Sequence, residues 1–204
     1  MTNGQSLRPR LILATRNEGK VAELTALLEG TCWVLERLPP EFGDYEETGE
    51  TFADNARGKA LFVSAQLSLP VLADDSGLEI DALRGEPGVR SARYIDESLS
   101  QAERNEAVLD KLSDTPVGLR TARFSCHLAL ALGGDIVHET TGRCSGSIGL
   151  APRGNWGFGY DSIFIVPNLG LTFAEISREQ KSAQSHRGAA MRAMVEFLGR
   201  WQPN

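Results

Sequence analysis

The sequence predicts an α/β fold: an elongated mixed β-sheet flanked by helices, with two lobes around a central cleft. Three observations predict it. In the first half of the chain, short apolar runs alternate with segments of helical periodicity. In the middle, Ala122, Phe124, Cys126, Leu128, Leu130 and Leu132 alternate with Arg123, Ser125 and His127, and a return strand follows Gly133-Gly134. That antiparallel pair is foreign to a purely parallel, doubly wound sheet. Finally, polar and glycine-rich turns follow the apolar runs, the usual place for sites in α/β proteins.

The elements follow in order. Leu11-Ile12-Leu13-Ala14 reads as a buried strand ending in the polar turn Thr15 to Lys20. Val21, Leu24 and Leu28 then recur at helical spacing, and Gly30 closes the helix. Trp33-Val34-Leu35 is a second strand, broken by Pro39-Pro40 and followed by an acidic loop. Thr51 and Asp54 fit a capping box for a helix that buries Phe52, Ala56, Ala60, Val63 and Leu67 and ends at Pro70. Val71-Leu72-Ala73 is a short buried strand running into Asp74-Asp75-Ser76-Gly77. A loop from Arg84 to Arg93, a helix from Gln101 to Leu112, and the hairpin ending near Thr141 come next. The loop Gly154 to Asp161 precedes a last helix that starts near Ser185 and buries Met191, Met194, Val195 and Leu198, with Trp201 below them.

Composition bounds the function. The chain of 204 residues suits a single domain of two lobes, with residues 1–9 a flexible N-terminal tail. A net charge of −6 disfavours nucleic acid and anionic membranes as partners. No apolar stretch approaches a membrane span, and none at the start has signal-peptide length. Cys32, Cys126 and Cys144 are too scattered for a disulfide framework or a zinc site, which agrees with a cytoplasmic protein. Charge is unevenly placed. Glu36, Glu41, Asp44, Glu46, Glu47 and Glu50 face one base, Arg37, whereas Arg178 to Arg200 holds five bases against two acids. Two poles around one site, or two solvated faces, would both produce this pattern.

Several segments carry chemistry. Thr15 to Lys20 joins a strand to a helix N-terminus, where free N–H groups and a lysine can cradle phosphate. It is not a Walker A loop, and Asn17 would serve equally as a plain helix cap. Asp74 and Asp75 end an apolar strand. Side chains alternate along a strand, so the two carboxylates act together only if the chain bends after Ala73, and Ser76-Gly77 would supply that bend. An ordinary Asx turn is the competing reading. One acid of such a pair can hold a hard cation while the other orients it or takes a proton; a glutamate of the segment Glu46 to Glu50 would reach the same cation, and Lys59 either lines the cleft or is solvated. Phe158 and Tyr160, among glycines, either stack on a base or join the core. Lys181, His186 and Arg187 crowd the positive end of the last helix, a cost that calls for an anion or an acceptor-rich ligand nearby. His127 and His138 receive no role.

Six segments, taken in order, resemble the inosine/xanthosine triphosphate pyrophosphatase family over about Leu11 to Trp201. They are T-x-N-x-x-K at Thr15 to Lys20, E-E-T-G-x-T-F at Glu46 to Phe52, A-D-D-S-G-L at Ala73 to Leu78, P-G-V-x-S-A-R-Y at Pro87 to Tyr94, G-F-G-Y-D at Gly157 to Asp161, and K-x-x-x-S-H-R at Lys181 to Arg187. No motif position departs from the family pattern, and Arg16 and Glu18 stand where it is variable. The resemblance implies a homodimer that hydrolyses ITP, dITP or XTP to the monophosphate and pyrophosphate, with Mg²⁺ as cofactor. It implies that Asp75 binds metal and accepts the proton, that Glu47 is the second metal ligand, and that Asp74 orients the water or metal. Thr15, Arg16, Asn17, Glu18, Gly19 and Lys20 correspond to its phosphate-binding turn. Ser76, Phe158, Gly159, Tyr160, Asp161, Lys181, His186 and Arg187 correspond to further substrate contacts, the last two near the purine.

That chemistry is physically consistent. A triphosphate needs a cation before carboxylates can approach it. Lys20 and Lys181 can stabilise charge on the leaving group. Arg187 has donors only, so it would favour a 6-oxo purine over adenine by ~1–3 kcal/mol. Guanine must be refused at its 2-amino group, by residues the sequence leaves unnamed. Rival readings are a Maf-type nucleotide pyrophosphatase, a nucleotide sensor without turnover, and an interaction module. The S-H-R segment speaks against the first, the presence of Glu47 and Asp75 against the second, and the ordered motif series against the third.

Overall fold

Three long strands set the architecture of the computed structural model, which describes residues 8–43 and 45–203. They are β3 (Val71–Ile80), β4 (Thr121–Leu132) and β5 (Asp135–Ile148), paired antiparallel along their whole lengths. The other elements, in chain order, are β1 (Arg10–Leu13), α1 (Glu18–Leu28), β2 (Val34–Arg37), α2 (Phe52–Ser64), α3 (Gln101–Lys111), β6 (Phe164–Val166), β7 (Leu171–Thr172), α4 (Arg178–Gln184) and α5 (His186–Leu198). The seven strands form one sheet in the order β2-β1-β3-β4-β5-β6-β7. β1 pairs parallel with β2 and β3, and the remaining pairs are antiparallel. The mixed sheet of the sequence reading is therefore present.

Strand alternation builds two cores back to back at one end of the sheet. Leu11, Leu13, Leu72, Leu128 and Leu130 face α1 and α5, where Met191, Met194 and Leu198 pack on them. The intervening residues Ile12, Val71, Ala73, Ala129 and Ala131 face Ala56, Ala60 and Val63 of α2. At the other end a third core gathers Leu78, Ile80, Phe124, Phe164, Phe173 and Val108 of α3. Gly142 of β5 lets α5 lie directly on the sheet, since a Cβ there would meet the His186 carbonyl at 2.1 Å.

Several expectations are refined. Asp74 to Gly77 are not a turn. β3 runs on to Ile80, and its register with β4 is unbroken from Val71↔Ala131 to Ile80↔Ala122. Gly77 fits this strand because the Ser91 hydroxyl and the Gly88 carbonyl lie against it, at 2.3 and 2.5 Å from an ideal Cβ. The return strand of the hairpin is longer than the sequence suggests, and α4 was not foreseen as an element of its own. The helix caps follow the sequence closely. Thr51 and Asp54 close a capping box on α2, and Ser185 caps α5. The expected tail, residues 1–9, lies mostly outside the described residues, as does Asp44; Arg8 itself donates to the carbonyls of Thr31 and Cys32.

Candidate active site

A cavity of about 270 Å³ gathers residues from both halves of the chain. Its walls include Thr15, Asn17 and Lys20 from the β1–α1 turn, Glu47, Lys59 of α2, and Asp75 and Ser76 of β3. Facing these are Phe158 to Asp161, Lys181 of α4, and His186 and Arg187 of α5. Residues scattered from 15 to 187 thus converge on one groove, and Glu47 and Asp75 share it with Lys20 and Arg187.

The turn after β1 does two jobs. Asn17 caps α1 by accepting from the Lys20 N–H at 3.2 Å, and it also lines the cavity. Lys20 reaches Asp74 Oδ1 at 2.6 Å. Arg16 and Glu18 stand in the same turn but are not among the cavity walls. Arg16 donates to the carbonyls of Phe42 and Pro40, and Glu18 is exposed and paired with Arg37. Gly19 lies beneath the Phe158 ring, where a Cβ would sit 2.5 Å from it.

Because β3 stays extended, its adjacent acids face opposite sides of the sheet. Asp74 continues the row of Leu72 toward α1 and α5. It is wholly buried, and its oxygens accept from Arg187 Nε at 2.9 Å, the Ser76 hydroxyl at 2.8 Å and the Cys126 thiol at 3.2 Å, besides Lys20. Burial alone would raise its pKa. Arg187 and Lys20 outweigh that and hold it well below the usual carboxylate range. These four donors fill the lone-pair positions of the carboxylate. Asp74, expected to orient water or metal, is here the shared anion of Lys20 and Arg187 and, unlike Asp75, is not among the cavity walls.

Asp75 continues the row of Ala73 toward α2 and lines the cavity. Its Oδ2 accepts from Asn55 Nδ2 at 3.0 Å, and its Oδ1 from the Ser76 N–H. Burial pushes its pKa up to about 6, Lys20 opposes the rise, and the nearby charge of Glu47 adds to it. Glu47 itself pairs with Lys59 and, at 3.5 Å, with Arg93. Burial raises Glu47 too, but Lys59 and the neighbouring cations bring it below its ordinary value.

The far wall is a buried ionic network. Lys181 pairs with both Asp161 and Glu23, and Arg187 pairs with Glu23 and Asp74 while donating to Ser76 at 2.7 Å. Asp161 also accepts from the Phe158 N–H at 2.8 Å, which fixes the glycine loop. The Phe158 ring sits 4.8 Å from Lys181 Nζ and 5.5 Å from the Arg187 guanidinium. The anion that the basic cluster on the last helix called for is thus supplied by the chain's own Asp74, Glu23 and Asp161. His186 stacks on Phe124 with centroids 4.7 Å apart, and burial together with Arg187 keeps it neutral. Its Nδ1 is buried with no hydrogen-bond partner among the described residues. Tyr160 is anchored by donating to the Ser91 carbonyl.

Glu23, Asn55 and Arg104 were missed by sequence reasoning. Glu23 had a signal, because it stands three residues after Lys20 on the face that buries Val21, Leu24 and Leu28. Asn55 follows the capping box by one residue and gave none. Arg104 lines the cavity from α3, far from every motif.

Comparison with known proteins agrees with this geometry. A model of the Ham1 family matches residues 11–197. A dITP/XTP pyrophosphatase of Gloeobacter violaceus is 48% identical over 93% of this chain and 94% of its own. One of Geobacter sulfurreducens is 45% identical over 95% of this chain and 98% of its own. The structure of a HAM1 protein from Coxiella burnetii superposes with a TM-score of 0.84 at 38% identity, covering 95% of this chain and all of that one. With its sheet order, its cavity and its six motif segments in place, the chain belongs to the Ham1 family.

Proposed function

We propose that this protein hydrolyses deaminated purine nucleoside triphosphates, namely ITP, dITP and XTP. Water adds at the α-phosphorus, the α–β anhydride bond breaks, and nucleoside monophosphate and pyrophosphate leave. The observation that carries the reading is Asp75: a cavity-facing carboxylate with a pKa near 6, beside Glu47 and within the field of Lys20 and Lys59. An acid raised by burial, and further by a second acid, is a group that a cation would relieve.

Glu47 and Asp75 fit Mg²⁺, which takes few carboxylates and completes its shell with water and phosphate oxygens. Once bound there, Mg²⁺ would neutralise phosphate charge and polarise the α-phosphorus. The protein's own groups do the rest. Ionised Asp75 accepts the proton of the attacking water. Lys20, with Thr15 and Asn17 at the N-terminus of α1, holds the phosphates and stabilises charge on departing pyrophosphate. Lys59 joins them from α2.

The purine lies against Phe158, in the pocket of Gly159, Tyr160, Asp161 and Lys181. Arg187 and the unpartnered nitrogen of neutral His186 meet its 6-oxo edge. A donor-only guanidinium, with its plane fixed by Asp74, Glu23 and Ser76, favours an oxo group over an amino group. The same reading makes the protein a cytoplasmic homodimer. Among the described residues no helix is long and apolar enough to cross a membrane.

The test is pyrophosphate release from ITP, dITP, XTP, ATP and GTP, with Mg²⁺ and with chelator. Release from the first three that requires the metal is expected. Equal turnover of ATP, or turnover unaffected by chelator, would overturn the reading.

A further inference from the structure

Five cations line the cavity: Lys20, Lys59, Arg104, Lys181 and Arg187. Four are neutralised by the protein. Lys20 meets Asp74, Lys59 meets Glu47, Lys181 meets Asp161 and Glu23, and Arg187 meets Asp74 and Glu23. Arg104 is the exception: among the described residues no carboxylate lies within 4 Å of its guanidinium, and the neighbouring Glu103 feels its charge only from farther away. Its Nη1 donates to the carbonyls of Asp96 and Leu99, which pins the side chain, while its Nε–H is buried with no acceptor. A buried donor without a partner costs about 1–3 kcal/mol, so its retention in a cavity wall points to a ligand acceptor.

Position indicates which part of the ligand. Arg104 stands on α3, next to Asn105, whose amide donates to the Gly159 carbonyl at 3.3 Å. The charge of Arg104 is also felt at the Tyr160 hydroxyl, where it opposes the upward push of burial. Arg104 and the loop that carries Phe158 line the same cavity, along with Lys20, Glu47 and Asp75. A nucleotide with its phosphates at Lys20 and its ring at Phe158 turns its 6-edge to Arg187 and His186, and its opposite edge toward α3.

We propose that Arg104 is the residue that reads the purine 2-position, accepting xanthine and refusing guanine; the proposal rests on the triphosphate reading above. Xanthine presents a 2-oxo acceptor there and loses its N3 proton near neutrality, placing negative charge on the N3–O2 edge. Guanine presents a 2-amino donor, which would oppose the donor-only guanidinium. Hypoxanthine has only hydrogen at that carbon, so ITP is tolerated without being selected.

The experiment compares wild type with Arg104→Gln, measuring kcat/KM for XTP, GTP, ITP and ATP and the affinities of XMP, GMP and IMP by calorimetry. The XTP:GTP ratio should fall by roughly tenfold, in line with one lost charge-assisted contact. The ITP:ATP ratio should stay within about twofold, since that edge belongs to Arg187. Lowering the pH through the xanthine ionisation should erode XTP:ITP preference in wild type and leave the variant flat. An XTP:GTP ratio unchanged in the variant overturns the proposal. If Arg104→Gln does not fold, Arg104→Met, which keeps the length of the side chain but removes both charge and donors, carries the same test. A wild type that fails to prefer ITP and XTP over ATP would instead sink the triphosphate reading.

Discussion

Asp74 and Asp75 are neighbours in the chain and opposites in the fold. One points into the network of α1 and α5, accepts from four donors and is held well below the ordinary carboxylate range. The other points to the α2 side, accepts one amide and one backbone N–H, and is raised to about 6. Both are buried, so burial does not distinguish them. The difference is the supply of positive charge and donors on each face of the sheet. A carboxylate surrounded by its own counter-ions is spent on structure. One left short of them keeps its affinity for a proton or a metal ion.

The largest effect that would break this comparison concerns catalysis. Asp75→Asn should lower kcat by about 10²–10⁴-fold, the size expected for a lost general base, while circular dichroism shows the fold retained. Activity within tenfold of wild type would place the proton acceptor elsewhere. Asp74→Ala should act on stability first. It strands Lys20 and Arg187 without their shared anion and should cost roughly 3–5 kcal/mol in urea unfolding. A cost below about 1 kcal/mol would show that the network is solvated rather than buried.

The pH dependence sharpens the contrast, because the two acids carry opposite signs. The folded pKa of Asp75 lies above its unfolded value of 3.8, so the folded state holds the extra proton between pH 4 and 6. Its contribution to stability is therefore lost as pH rises through that window in metal-free protein. Asp75→Asn should then be more stable than wild type at pH 7, by up to roughly 3 kcal/mol. Asp74, with a depressed pKa, contributes stability above pH 4 that disappears only in strong acid. In kinetics, kcat/KM should fall on the acid side with an inflection at or below pH 6, displaced downward as Mg²⁺ favours the ionised form.

A smaller effect is expected at Glu23, the shared partner of Lys181 and Arg187. Glu23→Gln keeps the shape and hydrogen bonding but removes one charge, and should raise KM for ITP several-fold, about 1 kcal/mol, with kcat little changed. The smallest belongs to a surface control. Breaking the exposed Arg37–Glu18 pair should leave activity intact and shift stability by less than about 1 kcal/mol.

Much of the fold was legible from local rules. The alternation in β4, the Gly133-Gly134 turn, the capping box at Thr51 and the stripe of α2 are short-range patterns that tertiary packing accepted. The short strand at Val71 was legible only in part. Asp74 to Gly77 reads as a turn because these residue types favour turns. Pairing with β4 overrode that preference and kept them extended.

What the sequence by itself determined is the inventory: the strands and caps, the order of the six segments, and the residue types able to hold a metal and a polyphosphate. What only the tertiary structure decided is the allocation of charge. Which acid of the pair would be neutralised, and that Glu23 would bind two cations, both depend on contacts between residues 50 to more than 160 positions apart. Local periodicity fixes which way a side chain points relative to its own strand or helix. It carries no information on which charge another element will bring to meet it, and in a buried cleft that meeting sets the pKa.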